Sequence, residues 1–175
     1  EVASLCRELS TPDAVVSAAN FNAPTQTVIA GHKAAVERAS AASKERGAKV
    51  IALNVSAPFH CALMSPARQP VAEALASVTL SSPAFEVVAN VDAAPKSSPA
   101  ETTRALIEQI DSPVQWVDSI LRLRQLGVTH ALEIGPGRVL AGLCKRIDKQ
   151  LRVLSVSDAA SIEKIAEFLR VDGDE

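Results

Sequence analysis

Aromatic residues are scarce in this sequence, which contains no tyrosine, one tryptophan and four phenylalanines among its 175 residues. Because 47% of the residues are nevertheless apolar, we expect a core of Ala, Val, Leu and Ile, which permits close packing of helices on a sheet. No apolar run approaches the roughly 20 residues of a membrane-spanning helix, and the first residues lack the basic and apolar regions of a signal peptide. These absences predict a soluble, cytoplasmic protein of one compact domain, or most of one, with no membrane partner.

Neither sign of charge predominates, since 18 Lys and Arg residues stand against 20 Asp and Glu residues, with no basic block. A nucleic-acid backbone is bound through a basic stripe, so we expect no nucleic-acid partner. The cysteines Cys6, Cys61 and Cys144 are odd in number and far apart, with no CxxC pair. They predict buried thiols in a reducing compartment and no zinc or other metal site.

Two further features predict that the chain is a piece of a longer protein. It begins at Glu1, and Met64 is its single methionine. Its first third would also form a sheet of few strands unless another strand preceded it.

Short β-rich runs alternate with longer Ala-rich stretches, a pattern that is typical of an α/β fold. We place the boundary between an N-terminal third and the remainder near residue 52. The predicted helices cover residues 2–9, 33–46, 66–78, 99–110, 114–126, 139–147 and 160–170, and an acidic tail follows them. Gly47 would end the second of these helices in the left-handed conformation, and Ser65 would cap the third, which begins at Pro66. The predicted strands cover 14–22 and 25–31 as a hairpin, then 49–56, 85–93, 130–135 and 152–158.

Several residues are candidates for chemistry. His60 directly follows a predicted strand and a proline, at the strand end where open α/β sheets bind ligands. A lone histidine among apolar neighbours is also often a hydrogen-bonded structural residue. The turn 135–137, of sequence GPG, precedes a predicted helix and is either an anion site or a plain tight turn. Asn20 and Asn22 would share one face of a strand, facing a ligand or bonding nearby backbone.

Four segments in this order carry a resemblance to a known family: AANFNAPTQTVIAGHKAAVE, VSAPFHCALM, SPVQWVDSI and ALEIGPGRVLAGLCKRI. Together they resemble the malonyl-CoA:acyl carrier protein transacylases, over nearly the whole chain. The resemblance implies the C-terminal part of an α/β-hydrolase-like core, residues 53–175. A partial ferredoxin-like small subdomain, residues 1–52, would be attached to it.

The resemblance also implies roles for individual residues. His60 matches the catalytic histidine, and Gln109 matches the position whose main-chain carbonyl accepts the histidine Nδ1–H. Phe59 resembles the bulky residue that leaves no room for an α-methyl group on the acyl chain. Asn20 and Asn22 match positions that line the pantetheine channel.

The family's activity would transfer a malonyl group from malonyl-CoA to the phosphopantetheine thiol of acyl carrier protein in fatty-acid biosynthesis, through an acyl-serine. The nucleophilic serine of a GHSxG segment has no counterpart in this chain, so we expect the isolated chain to be inactive. The resemblance implies no cofactor and a monomer at full length. Arg138, Lys145 and Arg146 would either face an acidic carrier protein or be solvated helix charges.

Two alternatives stay open from the sequence. The first is a non-catalytic module that binds CoA or a carrier protein through the GPG turn and the asparagine pair. The second is a polyketide-type acyltransferase, or a related enzyme that uses another acyl-CoA.

Overall fold

The computed structural model describes residues 1–170 and contains both helices and sheets, so the α/β prediction is confirmed. The helices are α1 (Val2–Leu9), α2 (Lys33–Glu45), α3 (Arg68–Ala76), α4 (Pro99–Glu108), α5 (Trp116–Gln125), α6 (Val139–Ile147), α7 (Ala159–Ile162) and α8 (Ile165–Phe168). The strands are β1 (Val16–Ala23), β2 (Gln26–Gly31), β3 (Val87–Val88), β4 (Pro95–Lys96), β5 (His130–Ile134) and β6 (Arg152–Val156). The chain forms two compact units, Glu1–Ser119 and Ile120–Glu175, with the division inside α5. A subdomain boundary near residue 52 stays a prediction.

The predicted hairpin is confirmed in the first unit. Strands β1 and β2 pair antiparallel, with Val16 opposite Gly31 and two irregularities in the register along β1. A Cβ atom at Gly31 would lie only 2.2 Å from the carbonyl oxygen of Val15. Glycine is therefore required where the end of β2 meets the start of β1.

Helices α1 and α2 contact this hairpin, which is the packing of helices on a sheet that the composition permits. Cys6 from α1, Val16 from β1, and Ala35 and Ala39 from α2 form a cluster in which no side chain is more than 3% exposed. Two alanines at the centre let α2 approach the strands closely. Gly47, at φ 82°, ends the helix region in the left-handed conformation that its position predicts.

The strand predicted at residues 49–56 is wrong, because that segment has no regular structure. Its alternating apolar side chains Ile51, Leu53 and Val55 are 57–66% exposed. A strand needs a neighbour to complete its hydrogen bonds, and none of the strands in residues 1–170 pairs with this segment.

The middle of the chain also departs from two predictions. Ser65 does not cap a helix that starts at Pro66; both lie inside a 3₁₀ helix, Ala62–Ala67, which leads into α3. The Ser65 hydroxyl is instead within reach of two oxygens, on Ala62 and Asp111. The strand predicted over 85–93 is reduced to the two residues of β3, which pair with β4 across a turn.

In the second unit, β5 and β6 pair in parallel and are joined by α6, all close to the predicted ranges. Arg124 reinforces this unit with bonds from Nε to Asp148 at 2.7 Å and from Nη1 to the carbonyl of Val128 at 2.6 Å. The predicted closing helix is divided into α7 and α8, and the second piece sets Phe168 edge-on to His130. The acidic tail lies outside the described residues.

Candidate active site

His60 lies in the turn between the irregular segment 49–56 and the 3₁₀ helix Ala62–Ala67. It is half-buried, and its φ of 61° is in the left-handed region, which a residue with a Cβ adopts at a cost of about 1–3 kcal/mol. The next residue secures the turn, since the buried Cys61 thiol donates to the carbonyl oxygen of Pro58 at 3.1 Å. Burial also raises the pKa of the Cys61 thiol, so this sulfur is held as an inert neutral group.

Gln109 is the C-cap residue of α4. The carbonyls at a helix C-terminus have no partner within the helix, so they are free to accept hydrogen bonds from elsewhere. The start of the helix is fixed by a capping box, in which Ser98 and Glu101 each bond the other's main-chain N–H. A well-fixed helix therefore presents the main-chain oxygen of Gln109.

These two residues meet across 49 positions of sequence, with the Nδ1 of His60 2.9 Å from the main-chain oxygen of Gln109. A carbonyl oxygen can only accept, so the imidazole must donate from Nδ1. In the neutral ring this leaves Nε2 without a proton and with its lone pair available. The contact thus selects the tautomer in which Nε2 can act as a base.

The contact with Gln109 is compatible with both protonation states of the ring. An imidazolium formed when Nε2 takes a proton would still donate from Nδ1 to the same oxygen. The arrangement can therefore accept a proton and return it without an acidic side chain on Nδ1.

The other predicted site residues are Phe59, Asn20 and Asn22. Phe59, next to His60 in sequence, is 52% exposed. Asn22 falls at a register irregularity of β1, which interrupts the alternation that predicted a shared face with Asn20. Within residues 1–170 neither asparagine side chain has a hydrogen-bond partner. Main-chain bonds do join β1 to the segment after Gln109, from Phe21 N–H to the oxygen of Val114 at 2.9 Å.

Sequence reasoning missed a second link between the His60 turn and the Gln109 segment. The Ser65 hydroxyl lies 2.7 Å from Oδ2 of Asp111, and Nη1 of Arg68 lies 3.6 Å from the same oxygen. Ser65 and Asp111 are 46 positions apart, and neither belongs to a spacing pattern that could have indicated the contact.

The GPG turn of the second unit, residues 135–137, is not available as an anion site. The carboxylate of Glu133 accepts the main-chain N–H groups of Leu140 and Ala141 at 2.8 and 3.1 Å, and the Ser155 hydroxyl at 2.8 Å. Desolvation opposes ionisation of Glu133, but these three hydrogen bonds together lower the pKa of its carboxyl. The start of α6 thus already binds an anion, supplied by the chain itself.

Neither a metal site nor a membrane-spanning helix is formed by residues 1–170. Within residues 1–170, no three His, Cys, Asp or Glu side chains are grouped so that they could hold a metal ion. None of the helices in the same range combines the length and the apolar character that crossing a bilayer requires.

Comparison with known proteins identifies relatives that match most of this chain in sequence and in fold. No protein-family model matches the chain. A malonyl CoA-acyl carrier protein transacylase of Haemophilus influenzae is 48% identical over 156 residues, which is 89% of this chain and 50% of the relative. The chain therefore spans about half the length of the curated relatives that it matches.

Solved structures agree with the sequence comparison. An acyl-carrier-protein S-malonyltransferase from Burkholderia pseudomallei matches with a TM-score of 0.90 and 47% identity, over 95% of this chain and 54% of the other. A malonyl-transacylase in complex with its type II PKS acyl carrier protein matches with a TM-score of 0.90 and 44% identity, over the same shares. In sequence and in fold, this chain is a homologue of about half of a malonyl CoA-acyl carrier protein transacylase.

Proposed function

We propose that this chain supplies the general base of a malonyl-transfer site, and that this base is His60. The proposed reaction moves a malonyl group from malonyl-CoA to the phosphopantetheine thiol of acyl carrier protein. The observation that carries it is the bond from His60 Nδ1 to the main-chain oxygen of Gln109 at 2.9 Å, which leaves Nε2 as the proton acceptor.

In the proposed first step, Nε2 of His60 takes the proton of a serine hydroxyl. The serine oxygen attacks the thioester carbonyl of malonyl-CoA, the carbon–sulfur bond breaks, and the CoA sulfur receives the proton from the imidazolium. In the second step, the ring takes the proton of the pantetheine thiol, whose sulfur displaces the serine oxygen, and the proton returns to that oxygen. We infer that the serine belongs to the half of the relatives that this chain does not span.

Three further residues complete the proposal on the substrate side. Phe59 would exclude an α-methyl group from the acyl pocket, and its exposed ring beside His60 supports this role. A methyl group in a tight pocket is worth only about 1–3 kcal/mol, so discrimination would be firm rather than absolute. Asn20 and Asn22 would line the pantetheine channel, and their unpartnered amides are free to do so.

We also propose that residues 53–175 are part of an α/β-hydrolase-like core and residues 1–52 part of a ferredoxin-like subdomain. Parallel sheets are normally covered on both faces, yet β5 and β6 form a sheet of two strands with Ile134 80% exposed. The apolar segment 49–56 likewise has no pairing partner among residues 1–170. Both features support a larger sheet in the longer protein, which we propose is monomeric and cytoplasmic.

The pathway has two candidates. Fatty-acid biosynthesis is the function that the transacylase relatives favour, and polyketide synthesis is favoured by the relative whose structure contains a type II PKS acyl carrier protein. A non-catalytic module that binds CoA through the GPG turn is disfavoured, because Glu133 already occupies the N–H groups of Leu140 and Ala141.

A chimera tests the proposal directly. The chain would be joined to the part of the H. influenzae relative that it does not match, and transfer of radiolabelled malonyl from malonyl-CoA to acyl carrier protein would be measured. We expect transfer by the chimera and a loss of roughly 10²- to 10⁴-fold in kcat on His60→Ala. His32→Ala is the matched control, because His32 also makes a ring-to-main-chain bond, to Val15, and we expect it to retain activity.

The isolated chain gives the complementary test. Incubated with radiolabelled malonyl-CoA, it should stay unlabelled, since it would hold a base without its nucleophile. Equal transfer by the chimera with and without His60→Ala would overturn the proposal, as would label attached to a serine of the isolated chain.

A further inference from the structure

The bond between His60 and Gln109 is flanked by a second connection between the same two segments. Ser65 follows His60 by five positions and Asp111 follows Gln109 by two. The Ser65 hydroxyl lies 2.7 Å from Oδ2 of Asp111. The turn that carries the imidazole and the helix end that carries its acceptor are thus joined twice.

The second connection joins an exposed hydroxyl, that of Ser65, to a shielded carboxylate. The Asp111 side chain is 12% exposed, while that of its ion-pair partner Arg68 is 42% exposed. Ser65 also lies 2.8 Å from the carbonyl of Ala62, but a hydroxyl has one hydrogen to donate. The carboxylate is the stronger acceptor because it is charged, so the hydroxyl hydrogen goes to Asp111, and Arg68 supplies the balancing positive charge.

The connection matters because the bond it flanks tolerates little displacement. A hydrogen bond of 2.9 Å is largely lost beyond about 3.5 Å. A relative shift of the two segments by less than an ångström would therefore release Nδ1 of His60 from Gln109. Without that acceptor, the neutral ring is free to place its proton on Nε2, the atom that the proposed function needs unprotonated.

We propose that Asp111 is a positioning residue which, by holding Ser65, keeps the imidazole of His60 against the main-chain oxygen of Gln109 and so in the Nδ1–H tautomer. This inference rests on the proposed function of His60 for its biological meaning. Its physical content, the tautomer of one ring, is independent of whether the chain takes part in catalysis.

The test is ¹⁵N NMR of the 175-residue chain with labelled histidine, at a pH at which the same nitrogen signals show the ring to be neutral. We expect the Nδ1 of His60 to resonate as a protonated, pyrrole-type nitrogen and Nε2 as an unprotonated, pyridine-type nitrogen. In Asp111→Ala and in Ser65→Ala, the Nδ1 and Nε2 signals of His60 should move toward each other, because the proton would exchange between the two nitrogens. Asp111→Asn should restore the original shifts, because its amide oxygen still accepts from Ser65.

Glu73→Ala is the matched control. Glu73 accepts a side-chain bond of 2.7 Å from Gln69 on the exposed face of α3, so the variant removes a bond of equal length that does not involve the Gln109 segment. Its His60 signals should equal those of the parent chain. Amide spectra of each variant report whether it is folded.

Unchanged His60 nitrogen shifts in folded Asp111→Ala or folded Ser65→Ala would overturn the proposal. So would loss of folding in both variants, since the connection would then serve the fold rather than the ring. In the chimera, we expect Asp111→Ala to lower kcat by up to about 100-fold with KM for malonyl-CoA unchanged. An active His60→Ala chimera would refute the proposed function alone, while the tautomer shifts would still decide the role of Asp111.

Discussion

The carboxylate of Glu133, on β5, accepts the main-chain N–H of Leu140, in the first turn of α6, at 2.8 Å. With its bonds from Ala141 and Ser155, Glu133 ties the end of a strand to the start of the next helix and to the neighbouring strand. These bonds are stronger while Glu133 is ionised, because a carboxylate is a better acceptor than a neutral carboxyl group.

We therefore expect Glu133→Gln to make the free energy of unfolding less dependent on pH in the acid range. Desolvation works against a low pKa at Glu133, but the hydrogen bonds to its carboxylate outweigh it, so the folded pKa lies below the unfolded value. The stability that this group contributes is present above the unfolded pKa of about 4.3 and is lost as the pH falls through the folded pKa. Urea unfolding at pH 7 and in steps below pH 5 should show a lower stability for the variant at pH 7 and a smaller loss on acidification.

Glu163→Gln is the control for that titration, because the Glu163 carboxylate has no hydrogen-bond or ion-pair partner in residues 1–170. Its unfolding curves should follow those of the parent chain at every pH. Parallel curves for Glu133→Gln and the parent would contradict the prediction.

Ala93→Gly is expected to stabilise the protein by about 1 kcal/mol. Ala93 has a φ of 54° in the turn between β3 and β4, a conformation that strains any residue with a Cβ and that glycine adopts freely. Thermal and urea unfolding would measure the gain. Ala74→Gly, at an exposed position inside α3, provides the opposite sign, since glycine in a helix interior costs about 1 kcal/mol; a loss of stability in both variants would show that the turn is not strained.

Arg124→Ala is expected to destabilise the second unit by about 1.5–3 kcal/mol. The guanidinium makes a short charge-assisted bond to Asp148 and another to the carbonyl of Val128, and bonds of this kind are worth about that much. Arg124→Lys should recover only part of the loss, because a lysine lacks the planar fork that reaches both acceptors.

Arg122→Ala on the same helix is the matched comparison for Arg124. Its guanidinium makes one exposed bond, of 3.3 Å, to Gln125, so its removal should cost less than about 0.5 kcal/mol. Equal losses for the two variants in urea unfolding would argue against a structural role for the Arg124 contacts.

The cysteines are expected to react slowly with a thiol reagent such as DTNB at pH 7. Cys6, Cys61 and Cys144 are between 1% and 4% exposed, and burial raises the pKa of each thiol, which reduces the reactive thiolate. Reaction of all three should accelerate in urea as the chain unfolds. Rapid labelling of any one of them in the native protein would contradict this expectation.

Local signals in the sequence predicted the elements whose boundaries depend on local chemistry. The hairpin of β1 and β2 and the helices α2 and α6 follow from periodicity and from end signals such as Gly47. The segment 49–56 has equally good alternation, yet it forms no strand, because pairing requires a neighbour that its own residues cannot specify.

The same distinction applies to the candidate site. The position of His60 beyond a predicted strand made it a candidate, but only the resemblance to a known family indicated Gln109, because the two are 49 positions apart and Gln109 acts through its main chain. The sequence predicts that Ser65 caps a helix, because serine is favoured at the N-cap and proline at the first helical position. Its actual partner, Asp111, is brought near only by the packing of distant segments.

The oxygen that faces His60 belongs to the peptide unit of residue 109, and this changes how mutations can affect it. Exchanging the glutamine side chain for another leaves the oxygen in place, so alanine scanning would pass over it. The role of this oxygen as an acceptor can be tested only by changing the main chain. A thioamide placed at that one carbonyl by semisynthesis, for example, weakens the acceptor and keeps every side chain.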